Sequence, residues 1–166
     1  MNAMFAIAAG IAVLATVMMI TRPSAVHALL YLTVSLLAVA MVFFVLGAPF
    51  AAALEVIIYA GAIMVLFVFV VMMLNIGGEA EALENDWLKP AAWIGPSVLA
   101  LLLGLELGTL AARGGLARSA ATVIGPQAVG IALTGPYMLA VEIASFLLLA
   151  AVVAAFHLGR AVMRGV

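Results

Sequence analysis

The 166-residue sequence contains no cysteine, which excludes disulfide frameworks, thiolate metal sites, iron–sulfur ligation and cysteine nucleophiles together. It is also poor in charge. Six Lys plus Arg and seven Asp plus Glu make up 8% of the chain, against about 25% in an ordinary globular domain. Too few charges remain to cover a water-facing surface. With 69% apolar residues and a mean hydropathy of +1.42, the solvent of this chain is lipid. A net charge of -1 leaves no basic surface for nucleic acid. There is no phosphate-cradling glycine loop, no dinucleotide fingerprint and no nucleophile–base constellation, so no catalytic residue is expected in the chain alone. Its two histidines, His27 and His157, have no second ligand at metal spacing, and no metal or cofactor site is expected.

What is present is a set of long apolar runs. A bilayer core of about 30 Å needs about 20 residues at 1.5 Å each. Five runs meet that length, predicting an all-α integral membrane protein with helices over 3–20, 26–46, 54–74, 91–112 and 137–158. Loops fall at 75–90 and 113–136, and the whole reads as a single membrane domain over 1–166. Pro and Gly mark the span ends, as at Arg22-Pro23, Gly47-Ala48-Pro49, Lys89-Pro90 and Gly135-Pro136. No Lys or Arg precedes the first run, which predicts a retained span rather than a cleaved signal. Arg22, Lys89, Arg160 and Arg164 share one face, whereas Arg113 and Arg118 share the other. The positive-inside rule then puts the N-terminus outside and the C-terminus in the cytoplasm. Glu79, Glu81, Glu84 and Asp86 read as a solvated loop, and Trp87 and Trp93 as interfacial aromatics.

Three carboxylates fall where lipid makes them expensive: Glu55, Glu106 and Glu142. All lie in the predicted outer half, either as functional groups facing water or a partner helix or as snorkelling caps. No Lys or Arg lies within any span, so an intramolecular ion pair across the membrane is excluded and proton movement would need partner chains. The third span carries most of the information. Ala60-Gly61-Ala62 forms a patch of small residues about 12 Å deep, flanked by β-branched and aromatic bulk. Such a patch suits close helix packing or a local change of backbone register. Glu55 and Tyr59, four residues apart, share a helical face and are within reach of a hydrogen bond. Gly104 and Gly108 form a GxxxG pair in the fourth span that reads as packing.

The stretch from Glu55 through Tyr59-Ala60-Gly61-Ala62-Ile63-Met64-Val65-Leu66-Phe67 to Met72-Met73-Leu74-Asn75 closely resembles the signature of subunit J of bacterial respiratory complex I, counterpart of mitochondrial NADH dehydrogenase subunit six. The resemblance extends to Pro23-Ser24-Ala25-Val26-His27-Ala28-Leu29-Leu30-Tyr31-Leu32, to Trp93-Ile94-Gly95-Pro96 and to Gly135-Pro136-Tyr137 through Ser145. It implies a five-span, non-redox subunit of proton-translocating NADH:quinone oxidoreductase in the bacterial inner membrane. FMN, iron–sulfur clusters and quinone would then sit in partner subunits, and the membrane neighbours would include subunits A, H, K and N. It further implies a π-bulge near Tyr59 to Ala62, a feature found mainly at functional sites. Gly61 tolerates the altered backbone. A switch to regular helix would turn the segment beyond it by about 100°, changing the facing of Tyr59 and Val65. The expected proton path or gate is therefore Glu55, Tyr59, Ala60, Gly61, Ala62 and Val65, with Glu142 and Glu106 secondary. The departures from the family are a short C-terminal tail after Arg164 and an undistinctive 113–134 segment. Two other readings stay open: a small proton-coupled secondary transporter working as a homo-oligomer, and a purely structural or assembly protein.

Overall fold

The computed structural model describes residues 2–73, 90–112 and 123–164, with side chains over 3–73, 93–112 and 123–160. Trp87, Lys89, Arg113, Arg118 and the acidic loop residues lie outside the described residues. Among those described there are helices and turns and no strand. The helices are α1 (Asn2–Thr21), α2 (Ala25–Val45), α3 (Pro49–Met73), α4 (Pro90–Ala112), α5 (Pro126–Thr134) and α6 (Met138–Arg164). All but α5 are long and apolar enough to cross a membrane. The chain divides into two compact units, Met1–Ile124 and Gly125–Val166.

The first unit is built on a helical hairpin. Along α2, His27, Tyr31, Val34, Ala38, Met41 and Val45 are buried at alternating spacings of four and three, the periodicity of one helical stripe. Small residues on α1 let it approach: Ala8 and Ala15 are fully buried. Ile11 and Ala15 pack with Val34 and Ala38, while Ala8 packs with Met41 and Leu110, so α1 and α2 run antiparallel across the Arg22-Pro23-Ser24 turn. Leu99 and Leu103 of α4 close over the same core. A polar knot pins the hairpin. Thr16 Oγ1 and Ser35 Oγ are 2.8 Å apart, and each hydroxyl also reaches the Ala12 carbonyl, at 2.8 and 3.1 Å. Interhelical hydrogen bonds of this kind contribute only about 0.6 kcal/mol in membranes. We therefore expect Ser35→Ala to lower the yield of intact protein from native membranes by less than about threefold. Ser35→Leu, which must wedge an isobutyl group between α1 and α2, should lower it much further. Equal yields for the two variants would show that the contact is not a packing constraint.

The helix boundaries differ from the sequence expectation in three places. The third helix starts at Pro49 rather than at 54. Gly47, with φ of 85°, ends α2 in the left-handed conformation, and Pro49 fits the first turn of the next helix because its missing N–H has no helical partner there. The second place is α5, which lies in a stretch expected to be a loop; Gly125 precedes it, Pro126 opens it and Gly135 follows it. Thirdly, α6 continues past 158 to Arg164. Hydropathy marks where lipid ends and not where a helix must stop, and a lone Gly159 does not break one. The Ile124 N–H donates to the Gly47 carbonyl at 2.9 Å, tying the end of the first unit to the α2–α3 turn.

Candidate functional site

The third spanning helix is not a regular α-helix. Pro49–Leu54 and Met64–Met73 are α-helical, but the nine residues Glu55–Ile63 between them are π-helical. At its end the Met64 N–H bonds to the Tyr59 carbonyl, five residues back instead of four. This stretch includes Tyr59-Ala60-Gly61-Ala62 and begins four residues before Tyr59, at Glu55. Room is short at Gly61, since a Cβ built on it would lie 3.2 Å from the Val56 carbonyl oxygen, again five residues back. Of the three small residues Ala60, Gly61 and Ala62, Gly61 is the one at which the backbone approaches closely.

The side chains of this stretch face away from the chain's own core. Only 6% of the spanning window of α3 is buried, against 39% for α2, so most of its surface is left for lipid or other subunits. Tyr59 is 48% exposed and Val65 is similarly open, whereas Met64 between the two regimes is buried. Glu55 is half-buried at the first π-helical position. The structure does not join Glu55 to Tyr59: among the described residues neither side chain makes a hydrogen bond. Their four-residue spacing matches the turn of an α-helix, and the wider turn carries the two groups out of register.

The other carboxylates part company. Glu106 on α4 is buried, 7% exposed, and neither of its oxygens has a hydrogen-bond partner among the described residues. Glu142 is exposed on α6 in the second unit. Among the described residues nothing packs on Gly104 or Gly108: a Cβ on either would meet nothing within 4 Å. Gly104 instead borders an apolar cleft of about 460 Å³, with Ala40, Ala52, Ala53 and Ala100 also on its walls. His27 is buried on α2 and His157 is exposed on α6, and no cluster of three potential metal ligands occurs among the described residues.

One contact escapes a reading of the sequence. Tyr31 is 2% exposed, its ring lies under the Arg22 guanidinium at 5.5 Å, and its hydroxyl touches the space above Gly95 on α4. A tyrosine five residues inside the end of a span, with an arginine just outside that end and a glycine in another helix, is a weak signal in one dimension. The sequence gives no register between α2 and α4.

The comparisons agree with this architecture. The family model for NADH-ubiquinone/plastoquinone oxidoreductase chain 6 matches residues 15–158. The chain is 60% identical over 160 residues to NADH-quinone oxidoreductase subunit J of Pseudomonas aeruginosa, covering 94% of this chain and 95% of the relative. It is 55% identical over 156 residues to subunit J of Escherichia coli K12, covering 93% and 84%. A more distant subunit J, from Buchnera aphidicola of Acyrthosiphon pisum, is 48% identical over 138 residues, covering 83% and 81%. With five helices suited to crossing a membrane, these likenesses make the chain a multi-pass protein of the bacterial inner membrane. A match over most of the length, through every span that the sequence predicts, means that this chain belongs to the NADH-ubiquinone/plastoquinone oxidoreductase chain 6 family, the membrane subunits of an NADH:quinone oxidoreductase.

Proposed function

We propose that this chain is a non-redox subunit of the membrane arm that couples quinone reduction in neighbouring subunits to proton transfer, with Glu55–Ile63 as the moving part. The observation that carries the reading is a π-helical stretch in the middle of a spanning helix whose side chains are left for partners. Each residue moved between π and α register rotates the remainder of the helix by about 100°, enough to turn Val65 from one neighbour to another. Tyr59 supplies a hydroxyl to a proton path when it faces one, and Val65 closes the path with an apolar surface when it takes that place. Glu55 is the polar group at the start of the stretch. Subunits A, H, K and N supply the facing residues, the N-terminus is outside and the C-terminus cytoplasmic.

The absence of cysteine provides a direct test. A single Val65→Cys in the assembled enzyme should react with a membrane-permeant maleimide at a rate that changes at least about threefold between inhibited and NADH-driven states. Leu14→Cys on α1, exposed and remote from the stretch in sequence, should not change. Identical rates at Val65→Cys in the two states would remove the moving part. Glu55→Gln should produce a milder defect than any change that alters the backbone, lowering proton pumping about twofold, because an amide keeps the size and hydrogen-bonding reach of the carboxylate. Full pumping in that variant would reduce Glu55 to a packing residue.

A further inference from the structure

We infer that Glu106 is a proton-holding site: a carboxylic acid sealed between α4 and the start of α1, completed by a proton and not by a counter-ion. Beside it runs an open groove of about 360 Å³ lined by Ala3, Met4 and Ile7 of α1 and by Leu102, Leu105 and Thr109 of α4. Thr109 is the one hydroxyl there, and it is already committed, donating to the backbone carbonyl of Glu106 at 2.8 Å. Both carboxyl oxygens are shut off from solvent and have no donor among the described residues. An ionised carboxylate left this way in an apolar site is expensive, and the inexpensive remedy is to keep the proton.

The described cations of the first unit do not offer another remedy. Arg22 is engaged with the Tyr31 ring near the opposite end of the hairpin. His27 is buried on α2 four residues before Tyr31, at that same far end. There remains a membrane-embedded acid that keeps one proton beside an apolar groove. The site lies on α4, not on α3, and does not depend on a moving π-helical stretch.

The test uses the assembled complex in its native membrane and a lipid-soluble carbodiimide, dicyclohexylcarbodiimide. That reagent takes the acid proton onto its nitrogen while the carboxyl oxygen adds to its central carbon, and the adduct rearranges to a stable N-acylurea. An ionised carboxylate, lacking the proton, reacts far more slowly. Mass spectrometry of the chain should find Glu106 modified at least about tenfold more than Glu79, Glu81 and Glu84, which the sequence alone leads us to expect in a solvated loop, in the same sample. Glu106→Gln should abolish that one modified peptide while leaving labelling elsewhere in the chain. Labelling of Glu106 no greater than that of Glu79, Glu81 and Glu84 would overturn the inference, and would mean an ionised group completed by a cation from outside the described residues. Because the labelling is measured on the unaltered enzyme, it stands whether or not the Gln variant assembles, and whether or not the Val65→Cys rate changes.

Discussion

Gly61→Val is expected to leave the complex recoverable from membranes but to lower NADH-driven quinone reduction and proton pumping by about tenfold, the factor that 1.4 kcal/mol in a conformational equilibrium or barrier produces. The added Cβ would lie 3.2 Å from the Val56 carbonyl oxygen, which is part of the backbone and cannot swing aside as a flexible side chain would. Two further methyl groups on a side chain with restricted χ1 add to the crowding. The strain is relieved by tightening the turn, so the substitution biases the stretch toward regular helix and holds Val65 in one facing. The fold itself should survive, because the π-helical stretch contributes no buried side chain to the core of the first unit. Gly61→Ala, with the single Cβ, needs a shift of only a few tenths of an ångström and should lose much less activity. The measurement is assembled complex by native gel, then turnover and gradient formation per assembled enzyme. Normal values of both for the valine variant would sink the hinge.

The second large effect is expected on assembly and not on turnover. Gly95→Ala should lower the amount of assembled complex at least about fivefold, from an overpacking cost of about 1 to 3 kcal/mol. A Cβ on Gly95 would run into the Tyr31 hydroxyl and come within 3.1 Å of the ring carbon that bears it. The ring has little freedom to retreat, since it is almost wholly buried and lies under Arg22. Pro96, next in the chain, removes one backbone hydrogen bond from α4 and limits how that helix can adjust. Combining Gly95→Ala with Tyr31→Phe deletes the colliding oxygen but leaves the ring carbon close, so the pair should recover part of the loss. A double-mutant cycle on assembled yield isolates the contact. Strict additivity of the two substitutions would show that Gly95 is needed for some reason other than Tyr31.

Much of this molecule is legible in one dimension because lipid imposes so strict a rule. A spanning segment must satisfy its own backbone and hide its few charges, so an apolar run of about 20 residues reads as a helix, and the five such runs of this sequence predict five spanning helices. Low charge and long runs thus specify α1, α2, α4 and α6 to within a few residues, apart from the extension of α6. The same rule is silent on helices too short to cross, and the nine residues of α5 give no span despite their Gly125-Pro126 start. Glu106 and Glu142 look alike as carboxylates at span positions, yet one is sealed against α1 and the other is exposed. Hydropathy gives depth along a helix but not the direction in which a residue points.

By itself the sequence determined the class of solvent, the number of spans, the absence of cysteine chemistry and, through the Glu55–Asn75 motif, the family. Each is set by residue type and order, which need no third dimension. The tertiary structure alone decided that Glu55 and Tyr59 are not joined, that Gly104 and Gly108 open onto space, that Tyr31 rests against Gly95 and that Glu106 has no partner among the described residues. These depend on backbone hydrogen-bond register and on rotation of one helix against another. An α-turn and a π-turn can be written with the same letters, and a helix rotated by about 100° exposes a different face of an unchanged sequence.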